Sequence, residues 1–117
     1  MNKREIVVYI SGPYSGKISE NIQKARTVAI QVWEAGYMVF CPHLNTIHFE
    51  NDCKCVYEDY LAGDIEIINR CNAVLMVEGW EGSNGATQEY NYAKAYGLPI
   101  FYSLAEMEDY YASTHRD

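Results

Sequence analysis

The sequence predicts an α/β fold: a doubly wound, flavodoxin-like parallel sheet ordered 2-1-3-4, with helices on both faces in three layers. Three observations lead there. Short apolar, β-rich runs alternate with segments whose apolar residues recur at helical spacing, in the order βαβαβαβα. The first run, EIVVYI, lacks strict alternation, which suits a strand covered on both faces. Glycine- and serine-rich turns follow the first and third runs, and right-handed crossovers bring those two turns to the switch point where such sheets hold ligands.

Each element has its own warrant. Residues 5–10 form the first strand, which ends at the turn cluster SGPYSGK, residues 11–17. Ser19 is the expected N-cap of the first helix. Ile22, Ala25, Ala29, Val32 and Trp33 are its apolar stripe, and Gly36 is its C-terminal stop. Residues 37–41, YMVFC, are the second strand. Residues 42–54 are the least regular stretch, a polar loop just past a strand end, where α/β folds place function. A helix then starts near Val56, with Tyr57, Leu61, Asp64, Ile65 and Ile68 on one face. Residues 73–77 are the third strand and lead into the turn Gly82-Ser83-Asn84-Gly85. The following helix carries Ala86, Glu89, Tyr90 and Ala93 at one-face spacing. Residues 98–103 are the fourth strand and residues 104–113 a terminal helix.

Composition narrows the partners. A chain of 117 residues suits a single domain, residues 1–117, with a real core. A net charge of -7 argues against a nucleic-acid polymer or an anionic membrane surface. No apolar run approaches the ~20 residues that span a bilayer, and the opening MNKREIVVYISG is too short in apolar residues for a signal peptide. A cytoplasmic setting is expected, with Cys41, Cys53, Cys55 and Cys71 as reduced thiols.

The chemistry is expected at the switch point. Tyr9 and the turn from Ser11 to Gly16, with Gly12 and Ser15, bring hydroxyls and backbone donors. Glu89 projects from the start of one helix, on the face that packs against a sheet, and Asp64 from the apolar stripe of another. A carboxylate on an apolar face is costly unless partnered or used. Two of them at one pocket point to glycosidic chemistry, one attacking or stabilising the anomeric carbon and the other handling protons.

With these residues in view, the sequence resembles the nucleoside 2-deoxyribosyltransferase-like superfamily over about residues 7–103. That superfamily includes the nucleoside deoxyribosyltransferases and the 2′-deoxynucleoside 5′-phosphate N-hydrolases, and the likeness is strongest to its small branch in phages and bacteria. The carriers are YISGPYSG at residues 9–16, Asp64 eight positions before Asn72, and Ser83-x-Gly85-x-x-x-Glu89. The resemblance implies that Glu89 is the nucleophile forming a covalent glycosyl intermediate, resolved by water or a second base with retention. It implies that Asp64 assists protonation of the leaving base, that the Tyr9 hydroxyl lies near the nucleophile, and that Gly12 lines the pocket. Ser83 and Gly85 would bind a 5′-phosphate. No cofactor is implied. A homodimer or higher assembly is implied, with a neighbouring subunit's C-terminal region completing each site; Ser103 is the nearest candidate. Two positions depart from the pattern: Asn72 stands where Asp is frequent, and Lys17 offers the only cation in a loop where the hydrolases carry arginine.

Other residues have two readings. Trp80 stacks on a base or covers the rim of the core. His43, Asn45 or His48 approaches the ligand from the 42–54 loop. The Cys and His spacing there does not suit a metal site, and none is expected. Tyr90, Tyr92 and Tyr96 fit packing or a subunit interface. The expected partner is a nucleoside or nucleotide, cleaved at its N-glycosidic bond. The competing readings are a non-catalytic nucleotide-binding module, with Glu89 holding ribose hydroxyls, and a flavodoxin-like partner-binding protein.

Overall fold

Four parallel strands form one sheet in the order β2-β1-β3-β4, as the sequence predicts. The structure is a computed structural model that describes residues 2–114. In chain order the elements are β1 (Val7–Ser11), α1 (Ile18–Glu34), β2 (Met38–Phe40), α2 (Pro42–Asn45), α3 (Tyr57–Ile68), β3 (Ala73–Met76), α4 (Asn84–Tyr96), β4 (Ile100–Phe101) and α5 (Leu104–Thr114). Val8 lies beside Val39 on one side and Ala73 on the other, and Val74 pairs with Ile100.

Strand periodicity builds the two apolar layers. Val8 and Ile10 point to one face, where they meet Ala25, Ala29 and Val32 of α1 and Met107 and Tyr111 of α5. Tyr9 points to the other face, among Ile65 and Ile68 of α3 and Ala93 of α4. The same alternation puts Tyr9 and Ser11 on the side where α3 and α4 pack. Asn72 ties the sheet together: its backbone N–H donates to the Val7 carbonyl at 2.8 Å, and its side-chain Oδ1 accepts from the Val7 N–H at 2.8 Å. That supports a structural role for the position.

Several boundaries move, each for a local reason. Residues 3–5 form a 3₁₀ turn closed by the Glu5 carboxylate accepting from the Asn2 N–H, so β1 begins at Val7. Ser19 does not cap α1. Gly16, at φ 92°, turns the chain early, Lys17 becomes the N-cap, and Ser19 falls inside the first turn. The Asn21 amide braces that turn by donating to the carbonyls of Tyr14 and Ser15. Trp33 is not in the buried stripe; it is half-exposed beneath the Arg4 guanidinium, 3.8 Å from its ring centroid. The 42–54 stretch is more ordered than a loop, holding α2 and a 3₁₀ turn at Phe49–Asn51. The fourth strand shrinks to two residues, because Ser103 already caps α5 by accepting from the Glu106 N–H at 3.1 Å. Among the described residues no helix is long and apolar enough to cross a membrane.

Candidate active site

Ser83 is the residue from which the site is built. It sits in extended conformation ahead of α4, and its Oγ accepts from the Ala86 N–H at 3.2 Å. That cap fixes where the helix starts and therefore which side chains face the sheet. Ala86, Glu89 and Ala93 do so and are buried. The helix delivers the Glu89 carboxyl to the C-terminal end of β1, where two hydroxyls are waiting. Tyr9 donates to Oε2 at 3.0 Å and Ser11 to Oε1 at 2.7 Å. Each oxygen of the buried carboxyl thus has its own donor, which fixes its orientation.

Asp64 arrives from α3, close enough to share a hydrogen bond with Glu89 and to interact with Tyr9. Burial first, and then the charge of Asp64, raise the Glu89 pKa to about 8 against the opposing pull of the Ser11 and Tyr9 hydrogen bonds. Burial also raises Asp64 above the ordinary carboxylate range, against the hydrogen bonds from Glu89 and Tyr9. Two carboxyl groups in contact cannot both ionise cheaply, so at neutral pH the pair retains a proton. Burial, then the nearby carboxylates, pushes the Tyr9 hydroxyl well above its usual range, so it remains a donor.

This pair forms one wall of a cavity of about 590 Å³. The β1–α1 loop contributes Gly12, Pro13, Tyr14 and Ser15; α2 contributes Pro42 and His43; α3 contributes Tyr57, Tyr60 and Leu61; and the start of α4 contributes Asn84 and Gly85 beside Ser83. Gly12 is there because nothing larger fits: a Cβ would lie 2.7 Å from the Val77 Cβ. Gly85 allows the Tyr57 hydroxyl to approach, 3.2 Å from where its Cβ would be. His43 is buried, with Nε2 donating to the Pro13 carbonyl at 2.8 Å. Burial lowers its pKa, so the ring is neutral and its buried, unpartnered Nδ1 is an acceptor. At the mouth, the Tyr14 hydroxyl donates to Glu50 Oε2 at 2.7 Å.

The predicted site residues fall into three groups. Gly12, Ser15, His43, Asp64, Ser83, Gly85 and Glu89 line the cavity. Tyr9 and Ser11 stand behind Glu89 and orient it. Lys17 and Trp80 do not reach the cavity. Lys17 is the exposed N-cap of α1. Trp80 stacks on Tyr90, with centroids 4.5 Å apart, and on Tyr102 at 6.4 Å, so it covers the core rim. Sequence reasoning passed over Tyr14, Glu50, Tyr57 and Tyr60 as site residues. Tyr57 carried a signal: it shares the stripe of Asp64, seven positions on, and the N-terminal half of that stripe faces the cavity while Ile68 enters the core. Among the described residues no three His, Cys, Asp or Glu side chains gather as a metal ion would require.

Residues 6–102 match the family described as a domain of unknown function, DUF4406, and the chain belongs to that family. The curated proteins yield no match to the chain.

Proposed function

We propose that this member of the DUF4406 family is a glycosidase-type enzyme. It cleaves the N-glycosidic bond of a nucleoside or its 5′-monophosphate through a covalent glycosyl-Glu89 intermediate. The observation that carries the proposal is the buried Glu89 carboxyl, held at both oxygens by Tyr9 and Ser11 and in contact with a second acid, Asp64, at the wall of a ligand-sized cavity. A structural carboxylate needs partners; it does not need a second carboxyl beside it or an opening onto a cavity.

The residues divide the work. The Asp64–Glu89 pair holds a proton at neutral pH, and their shared hydrogen bond lets either carboxyl carry it. With Glu89 ionised, one of its oxygens attacks C1′ while the glycosidic C–N bond breaks. The electron pair goes to the base, which takes the proton from Asp64. Tyr9 and Ser11 keep the attacking carboxylate from rotating and stabilise its charge. Asp64, now ionised, then draws a proton from water or assists a second base, and the ester at Glu89 is opened with overall retention. Tyr14, Tyr57 and Tyr60 offer aromatic faces to the base. The resemblance to the nucleoside 2-deoxyribosyltransferase-like superfamily supports the same roles for Glu89, Asp64 and Tyr9.

The test is base release followed by chromatography, using ribo- and deoxynucleosides and their 5′-monophosphates with and without an acceptor base. Wild type is expected to release base, and Glu89→Ala and Glu89→Gln to lose at least ~10³-fold of that rate, as removal of a covalent nucleophile does. Exchange seen only with acceptor present makes the protein a transferase. Release that survives Glu89→Ala would falsify the assignment.

A further inference from the structure

We infer that the cavity takes a nucleoside without a 5′-phosphate, and that Glu50 is the residue that sets this preference. The inference rests on the glycosidic reading of the same cavity and narrows its substrate class.

The argument begins with charge. Among the described residues lining the cavity there is no Lys and no Arg, while Glu50, Asp64 and Glu89 all face it. A phosphate monoester carries about −1.5 to −2 charges near neutral pH and calls for cationic or multiple N–H donors. No lysine of the flanking elements lines the cavity: Lys54 is exposed, and the Lys24 Nζ reaches only its edge, 3.8 Å from where a Cβ on the lining residue Gly79 would be. Lys17 is exposed outside the cavity, and Lys24 donates to the Glu78 carbonyl at 3.2 Å and opens onto a separate groove beside α1.

One feature favours an anion: the start of α4, whose macrodipole amounts to roughly half a positive charge. Its donors are partly used. The Ser83 hydroxyl already accepts from the Ala86 N–H, and the Ser83 carbonyl from the Thr87 N–H at 2.9 Å. The remaining partial charge shares the cavity with two negative centres, Glu50, whose Oε2 lies 3.9 Å from His48 Nδ1, and the Asp64–Glu89 pair with its retained proton. The balance for a doubly charged phosphate is repulsive.

Glu50 has a positive use as well. The Tyr14 hydroxyl holds one of its oxygens, and that hydrogen bond lowers its pKa, so it is ionised at neutral pH. An ionised carboxylate only accepts hydrogen bonds. It therefore suits a free sugar hydroxyl, an O–H donor, and rejects phosphate oxygens, which have nothing to give it. The other walls, with Ile18, Leu61 and the tyrosines, suit an uncharged base.

The experiment is calorimetric titration of Glu89→Gln with deoxynucleosides and the matching 5′-monophosphates, alongside kcat/KM for base release by wild type. Each nucleoside is expected to bind at least ~10-fold tighter than its 5′-monophosphate, with kcat/KM in the same order. Glu50→Gln, which keeps an acceptor for Tyr14, and Glu50→Arg should both shrink that gap, mainly by tightening the monophosphate. Monophosphates that bind equally or better, a gap that Glu50→Arg leaves untouched, or no binding of either class would each overturn the inference. Selective nucleoside binding with no base release from wild type would uphold it and sink the glycosidic reading instead.

Discussion

Glu89 carries a proton that the unfolded chain would release, and stability should record it. In the unfolded state the side chain titrates near 4.5, and in the folded state near 8. Between those values the folded protein holds a proton that the unfolded one lacks. The stabilisation is complete below pH 4.5 and is lost as pH rises towards 8. The raised pKa of Asp64 acts in the same direction. Glu89→Gln has no proton to lose at this position. Its stability relative to wild type should therefore rise across that window, by roughly 1–3 kcal/mol, measured as the difference in Tm at each pH. A difference that stays flat with pH would rule out the retained proton. At this scale the sequence is legible where a side chain breaks a pattern: Glu89 and Asp64 stand out because each interrupts an apolar stripe. Trp80 was legible only as a choice between a base and the core rim, and Lys17 only as the cation of its loop. They sit in turns, where spacing does not determine direction, and Gly16 and the Tyr90 ring decide it instead.

Among the elements, the junction of β1 with its loop is the most tightly specified. Gly12 packs against Val77 with no room for a methyl group, and Val77 is held there by its N–H donating to the Ser11 carbonyl at 2.7 Å. Gly12→Ala is expected to cost about 1–3 kcal/mol as an overpacking change, read as a lower denaturation midpoint with unchanged m value. Gly63→Ala, whose added Cβ meets nothing within 4 Å, should be neutral or slightly stabilising and serves as the control. The helices and the strand order followed from periodicity, because a 3.6-residue stripe and a buried β run are set by the same burial that the fold enforces. The ends did not follow. Where α1 begins depends on a glycine turn braced by Asn21, and where β4 stops depends on the Ser103 cap. The 42–54 stretch looked irregular because α2 is a single turn, too short to display a period.

For the molecule as a whole, the net charge of -7 places a negative field around a cavity that is itself acidic. Screening should weaken that field over a Debye length of about 10 Å at 0.1 M salt. Discrimination against 5′-monophosphates should therefore narrow as salt rises from ~0.01 to ~0.5 M, while nucleoside affinity changes little. Titrations repeated across that range check it, and salt-independent selectivity would point to shape as its source. The doubly wound architecture was readable at this scale because alternating strands and helices admit few arrangements.

The two outer strands, β2 with three residues and β4 with two, have a consequence outside the cavity. An open sheet invites a foreign strand to extend it, and long flat borders seed aggregates. Here an incoming chain would find too little ladder on either border to hold register before the backbone turns into a helix. The concentrated protein should therefore resist fibril growth through its sheet, and any self-association would have to proceed through side chains.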